Sequence, residues 1–224
     1  MGTGNGSGTG VALQARAEAT RRKIIETAVE LFSELGYGET GLADVLQRAG
    51  VSKGAFYYHF DSKEAVAKAI IDEFDGRAAA AIQENFDPAE PTLDGLIKAT
   101  FAMQHLMHRD PTTQVGQMLS QALSQVSTAG SQMYVGWTGR FVEMTQALAE
   151  TGRISGDVDP LDVADAIWAG ALGSHLVSAA CRDDPYGRLT RSWRVLVRAI
   201  APENEVSRLQ AMLDQTVQNY QAAV

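Results

Sequence analysis

A chain of 224 residues with 45% hydrophobic side chains can close one large core or two modest ones, and its single cysteine, Cys181, excludes an intrachain disulfide framework. No uncharged apolar run is long enough to span a bilayer and no basic-then-apolar leader opens the sequence, so a cytoplasmic protein is expected. The net charge of −8 looks wrong for a partner of phosphates, but it is unevenly held: through Lys63 seven basic residues balance seven acids, and the rest of the chain carries the whole excess. Any attraction to nucleic acid must then be local.

In chain order, residues 1–16 begin with Gly, Thr, Ser and Asn and are expected as a disordered tail. A first helix is predicted from about Ala17 or Thr20 to Leu35, with Ile24, Ala28, Leu31, Phe32 and Leu35 on one stripe and Gly36 as its stop. Thr40 can cap a second helix whose Leu42, Val45 and Leu46 share a buried face, and Gly50 ends it. Ser52 caps a third, Lys53 to His59 or Phe60, in which Phe56 and Phe60 point one way. Its other faces carry Lys53, Gly54, Tyr57 and Tyr58, residues suited to phosphates and base edges in a major groove. Two short helices about a glycine turn, the second bearing Lys and Tyr, make a DNA-reading head.

Asp61 with Glu64 predicts the cap of a fourth helix through Ala67, Ile70, Ile71 and Phe74, followed by the polar segment Asp75-Gly76-Arg77. The segment Asp87-Pro88-Ala89-Glu90-Pro91 breaks the pattern, and Thr92 caps a helix to about Arg109. Further helices are expected over about Thr112 to Leu123, from Tyr134 or Trp137 to Glu150, from Asp159-Pro160 to Ala180, from Leu189 to Ile200 and from Pro202 to Tyr220. A polar loop through Ser131 and another over Arg182 to Gly187 are expected between them. No strand-period segment competes, so the fold class is all-α.

The stretch Ile24 to Leu35, Gly36-Tyr37, Thr40, Ala49-Gly50-Val51-Ser52-Lys53-Gly54, Tyr57, His59-Phe60 and Lys63-Glu64 resembles the N-terminal domain of the TetR family of bacterial transcriptional regulators. The resemblance implies a helix-turn-helix DNA-binding domain over residues 17–63 and a larger helical domain over 64–224 that binds an effector and dimerises. It implies base-edge contacts from Lys53, Gly54 and Tyr58 and phosphate contacts from Thr40, Ser52, Tyr57 and Lys63, with His59 alongside. Arg21, Arg22 and Lys23 at the start of the first helix would add salt-dependent phosphate pairing. It further implies a homodimer through the helices near 161–180 and 202–220, hence a palindromic operator of double-stranded DNA. Gly170 and Gly173 would serve such an interface, with close packing within the chain as the alternative.

Phe101, Met103, Met107, Met118, Trp137, Phe141 and Met144 give the middle helices a soft apolar composition, suited to a small apolar effector or simply to a core. Tyr134-x-x-Trp137, followed by Gly152-x-Ile154 and Asp157-x-Asp159, resembles the subgroup that recognises γ-butyrolactones and related signals, which implies that Trp137 covers the ligand. The function implied is a ligand-responsive repressor; an architectural or partner-regulated DNA-binding protein would share the head and need no pocket. No metal is expected, because His105 and His108 lack further ligands to complete a tetrahedral set. No enzyme motif or cofactor motif is present, and Cys181 is expected as a buried inert thiol.

Overall fold

The computed structural model describes residues 7–124, 128–155 and 157–222, and among these every regular element is helical. The helices are α1 (Ser7–Leu35), α2 (Leu42–Ala49), α3 (Lys53–His59), α4 (Lys63–Gln83), α5 (Leu93–Arg109), α6 (Pro111–Leu123), α7 (Thr128–Glu150), α8 (Pro160–Cys181), α9 (Pro185–Ile200) and α10 (Val206–Ala222). They group into two compact units, one of residues 1–74 and 111–121, the other of residues 75–110 and 122–224. The first unit is larger than the three-helix head expected over 17–63, because it also takes in α4 through Phe74 and most of α6.

In the first unit, Ile24, Ala28, Leu31 and Phe32 of α1 are buried with Val45 and Ala49 of α2, Phe56 of α3, Phe60 just after it, and Ile70 and Phe74 of α4. Leu35, expected on the α1 stripe, is 51% exposed, since the helix stops one residue later at Gly36. Gly36 and Gly50 take positive φ values of 86° and 60°, the left-handed geometry that closes a helix. Gly116 is where α6 meets α4: a Cβ there would lie 2.5 Å from Phe74 Cβ.

Several helix starts differ from the sequence reading. The expected tail is helical from Ser7, because Val11 to Ala19 is rich in Ala, Leu, Gln, Arg and Glu and continues a helix already nucleated by its packed half; residues 1–6 lie outside the described residues. Thr40 does not cap α2. Gly41 is the cap, its N–H donating to Asp44 Oδ2 at 2.8 Å, while buried Thr40 turns its hydroxyl inward to the Gly36 carbonyl at 2.8 Å. Ser62, not Asp61, caps α4, accepting from the Ala65 N–H at 3.2 Å. Helix α7 begins at Thr128 rather than near Tyr134, and buried Met133 adds to its apolar face; residues 125–127 of the expected loop lie outside the described residues. The loop expected over 182–187 is in part the first turn of α9, where Asp184 accepts from the Tyr186 and Gly187 N–H groups and Pro185 takes the first helical position.

The second unit centres on Trp193 of α9, whose indole N–H donates to Thr100 Oγ1 of α5 at 2.8 Å, fully buried. Thr145 of α7 donates to the Pro160 carbonyl at 2.8 Å, fixing the start of α8. Arg208 of α10 forks onto Asp94 of α5 at 2.7 and 2.8 Å. No helix among the described residues is long and apolar enough to cross a membrane.

Candidate nucleic-acid interface and effector site

Helix α3 is held from behind and open in front. Ser52 Oγ accepts the Ala55 N–H at 3.1 Å, as expected of its cap, and buried Phe56 and Phe60 fix the rear face. Lys53 and Gly54 are exposed, Tyr57 is 46% and Tyr58 77% exposed. The Lys53 ammonium lies 5.9 Å from the Tyr57 ring centroid, and the rings of Tyr58 and half-buried His59 stand perpendicular with centroids 4.9 Å apart. Nothing but Ser52 Oγ stands within 4.0 Å of where a Gly54 side chain would be, so a groove edge can approach the backbone there. Of Arg21, Arg22 and Lys23 on α1, the last two are exposed, and the Arg21 guanidinium sits 5.3 Å from the Phe60 ring centroid.

Two residues expected at phosphates are used inside the head instead. Thr40 is 1% exposed and its hydroxyl is already donated to backbone carbonyls. The Lys63 ammonium donates to the Tyr37 and Thr40 carbonyls, both at 2.8 Å, and lies 4.3 Å from the Tyr37 ring centroid. Both close the turn between α1 and α2, Thr40 through the nearby Gly36 and Leu31 carbonyls and Lys63 through carbonyls 23 and 26 residues back, a reach that no local pattern displays.

In the second unit an aromatic wall joins α7 to α8. Trp137 and Phe141, both fully buried, stack on Trp168 with centroids 6.0 and 5.6 Å away, and Tyr134 lies 6.4 Å from the same ring. The Arg140 guanidinium covers Trp137 at 4.6 Å and forks onto the Asp75 carboxylate at 3.0 and 3.2 Å. Trp137 Nε1 is buried and has no hydrogen-bond acceptor; Gln104 Oε1 on α5 is likewise without a donor. Both atoms are unpaired polar groups in an apolar setting, which costs about 1–3 kcal/mol each. Beside the wall, Ala79, Ile82, Phe86, Arg140, Glu143 and Met144 line a cleft of about 250 Å³.

Of the residues expected to line a pocket, Trp137 and Phe141 therefore stand together and Met144 faces the cleft. Phe101 does not join them: it stacks on Tyr220 of α10 at 5.7 Å. Met103 and Met107 are buried on α5, and Met118 belongs to the first unit with 36% exposure. Trp168 and Arg140 were missed. Arg140 follows Trp137 by three residues on one helix, a spacing that could have marked it; Trp168, thirty-one residues on, gave no such signal.

The histidines lie among aromatic rings. His105 Nδ1 is 2.8 Å from the Tyr186 hydroxyl, and the His108 ring meets the Tyr186 ring edge-on at 5.8 Å. Burial, then the charge of Arg109, holds His105 below its ordinary 6.5; burial does the same to His175, beside Gln104. Among the described residues no three His, Cys, Asp or Glu groups gather to hold a metal. Cys181, expected to be buried, is exposed, because it is the last residue of α8.

Comparison with known proteins agrees with this geometry. Residues 24–70 match the family described as bacterial regulatory proteins, tetR family. The A-factor receptor protein of Streptomyces griseus is 31% identical over 201 residues, spanning 89% of this chain and 70% of that protein. Among solved structures, a gamma-butyrolactone receptor (ArpA-like protein) has a TM-score of 0.74 at 25% identity, covering 91% of this chain and 99% of that one. The TetR family protein CprB from Streptomyces coelicolor, in complex with its biological operator sequence, has a TM-score of 0.73 at 27% identity, covering 91% and 99%. A helix-turn-helix with an open recognition face, matched to relatives along most of its length, means that this chain belongs to the TetR family of DNA-binding transcriptional regulators and is not an enzyme.

Proposed function

We propose that this protein is a homodimeric repressor that releases a palindromic operator when a small, mostly apolar molecule of the γ-butyrolactone class binds at the Trp137 wall. The observation that carries the effector reading is the Trp137 indole N–H, buried among stacked rings without an acceptor. A lactone carbonyl would supply that acceptor, and its alkyl part would lie against apolar side chains, the composition usual for small-molecule sites. The names of the similar proteins, an A-factor receptor and a γ-butyrolactone receptor, support the same class.

On DNA, Lys53, Gly54 and Tyr58 read base edges, and Ser52, Tyr57, Arg21, Arg22 and Lys23 lie near phosphates, with His59 supporting Tyr58. Thr40 and Lys63 hold the head together instead. The dimer face is α8 with α9: Leu161, Val177 and Val195 are 51%, 43% and 67% exposed, and Gly170 and Gly173 border a groove of about 310 Å³. Helix α10, which the resemblance implied as the second interface helix, buries Leu209 and Leu213 within its own chain.

The test uses a duplex selected by the wild-type protein from a random-sequence pool. γ-Butyrolactones of graded alkyl length should release it in a gel shift and raise the melting temperature of the free protein. Trp137→Phe should abolish release while keeping DNA affinity, and Lys53→Ala should weaken binding by about tenfold or more. Failure of every lactone to release the duplex would overturn the effector class; full affinity in Lys53→Ala would overturn the base-reading assignment.

A further inference from the structure

Residues 10–16 are two further turns of α1, and every side chain on them is exposed. Between residues 7 and 23 the helix carries Arg16, Arg21, Arg22 and Lys23 against Glu18 alone, so this segment is positive in a chain of net charge −8. At about 100° per residue, Arg16 and Lys23 fall within about 20° of one another, and Glu18 points to nearly the opposite side from Arg16. The Lys23 ammonium would lie 3.9 Å from a side chain on Gly50, so this face of α1 comes down beside the turn that leads into α3. Arg21, on another face, reaches Phe60 at the far end of α3. Among the described residues Arg16, Arg22 and Lys23 have no carboxylate partner.

We infer that the N-terminal turns of α1 are a second DNA-contacting element, with Arg16 neutralising a backbone phosphate outside the stretch read by α3. The inference rests on the proposed orientation of α3 toward DNA. Seven residues of helix separate Arg16 from Lys23 by about 10 Å, the length of roughly three base-pair steps. The face is continuous with the recognition surface and complementary in charge to phosphate. The exposed guanidinium contributes affinity without sequence preference.

Fluorescence anisotropy with the selected duplex, carried on long flanks and titrated with salt, tests this. Each phosphate neutralised adds about 0.9 to the slope of log affinity against log salt, so Arg16→Gln should lower the dimer's slope by about 1.8. Between about 50 and 200 mM salt, wild type should then lose about 12-fold more affinity than the variant. Arg16→Lys should keep the wild-type slope, and trimming the flanks should give wild type the slope of Arg16→Gln. An unchanged slope in Arg16→Gln, with helix content intact by circular dichroism, would overturn the inference. So would Arg16→Lys behaving like Arg16→Gln, since a phosphate contact needs the charge. Lys53→Ala, run in parallel, separates the two readings: loss of sequence preference there with no slope change at Arg16 would refute only the α1 contact.

Discussion

Replacing Lys63 with Met keeps the apolar stem and deletes the ammonium that bridges the Tyr37 and Thr40 carbonyls at 2.8 Å each and covers the Tyr37 ring at 4.3 Å. A hydrogen bond from a charged donor contributes about 1.5–3 kcal/mol net. Lys63 is only half-buried, so water replaces part of the loss, and about 2 kcal/mol for the whole group is the reasonable magnitude. For a chain of this size each kcal/mol moves the melting temperature by roughly 2–4 °C, so Lys63→Met should melt about 4–8 °C lower. Thermal unfolding followed by circular dichroism measures this, and a salt titration of DNA affinity on the folded variant should show the wild-type slope. A melting temperature within about 1 °C of wild type, together with a slope reduced by about 1.8 per dimer, would refute the structural role and return Lys63 to the phosphates.

Gly116→Ala would bring a Cβ to 2.5 Å from Phe74 Cβ and 3.1 Å from the Ile70 carbonyl oxygen, so overpacking should cost roughly 1–3 kcal/mol in denaturant unfolding. Asp184→Ala removes the acceptor for the Tyr186 and Gly187 N–H groups and should cost about 1 kcal/mol, with Asp184→Asn retaining most of it. Burial lowers His105 and His175 below 6.5, so the unfolded chain binds more protons than the folded one near that value. Stability should therefore be full above pH 6.5 and fall as pH drops through the lower folded values; melting scans across that range should decline, and His175→Gln should flatten the decline.

Much of the molecule was legible in short stretches of sequence. The Gly50 stop, the Ser52 cap and the Phe56 and Phe60 anchor are decided within a few residues by left-handed backbone, side-chain capping and helical spacing. The pair Asp184-Pro185 carries the same cap-then-proline signal as Asp159-Pro160, so the start of α9 is equally local in origin. The start of α1 escaped because glycine and threonine in the first residues suggested a tail, while the helix propagates outward from packing farther along.

Other assignments depended on which helix lies against which. Thr40 and Lys63 have the composition of phosphate ligands, but Thr40 is buried and Lys63 reaches carbonyls 23 and 26 residues away. Phe101 and Trp137 belong to one apolar composition, yet one packs on Tyr220 and the other on Trp168. Sequence by itself determined an all-helical chain with a DNA-reading head, because caps, glycine stops and amphipathic period are local properties. Only the tertiary structure decided which polar groups stand exposed on α3, which close a turn, and which aromatic ring carries a buried N–H without a partner, because those outcomes depend on neighbours supplied by other segments.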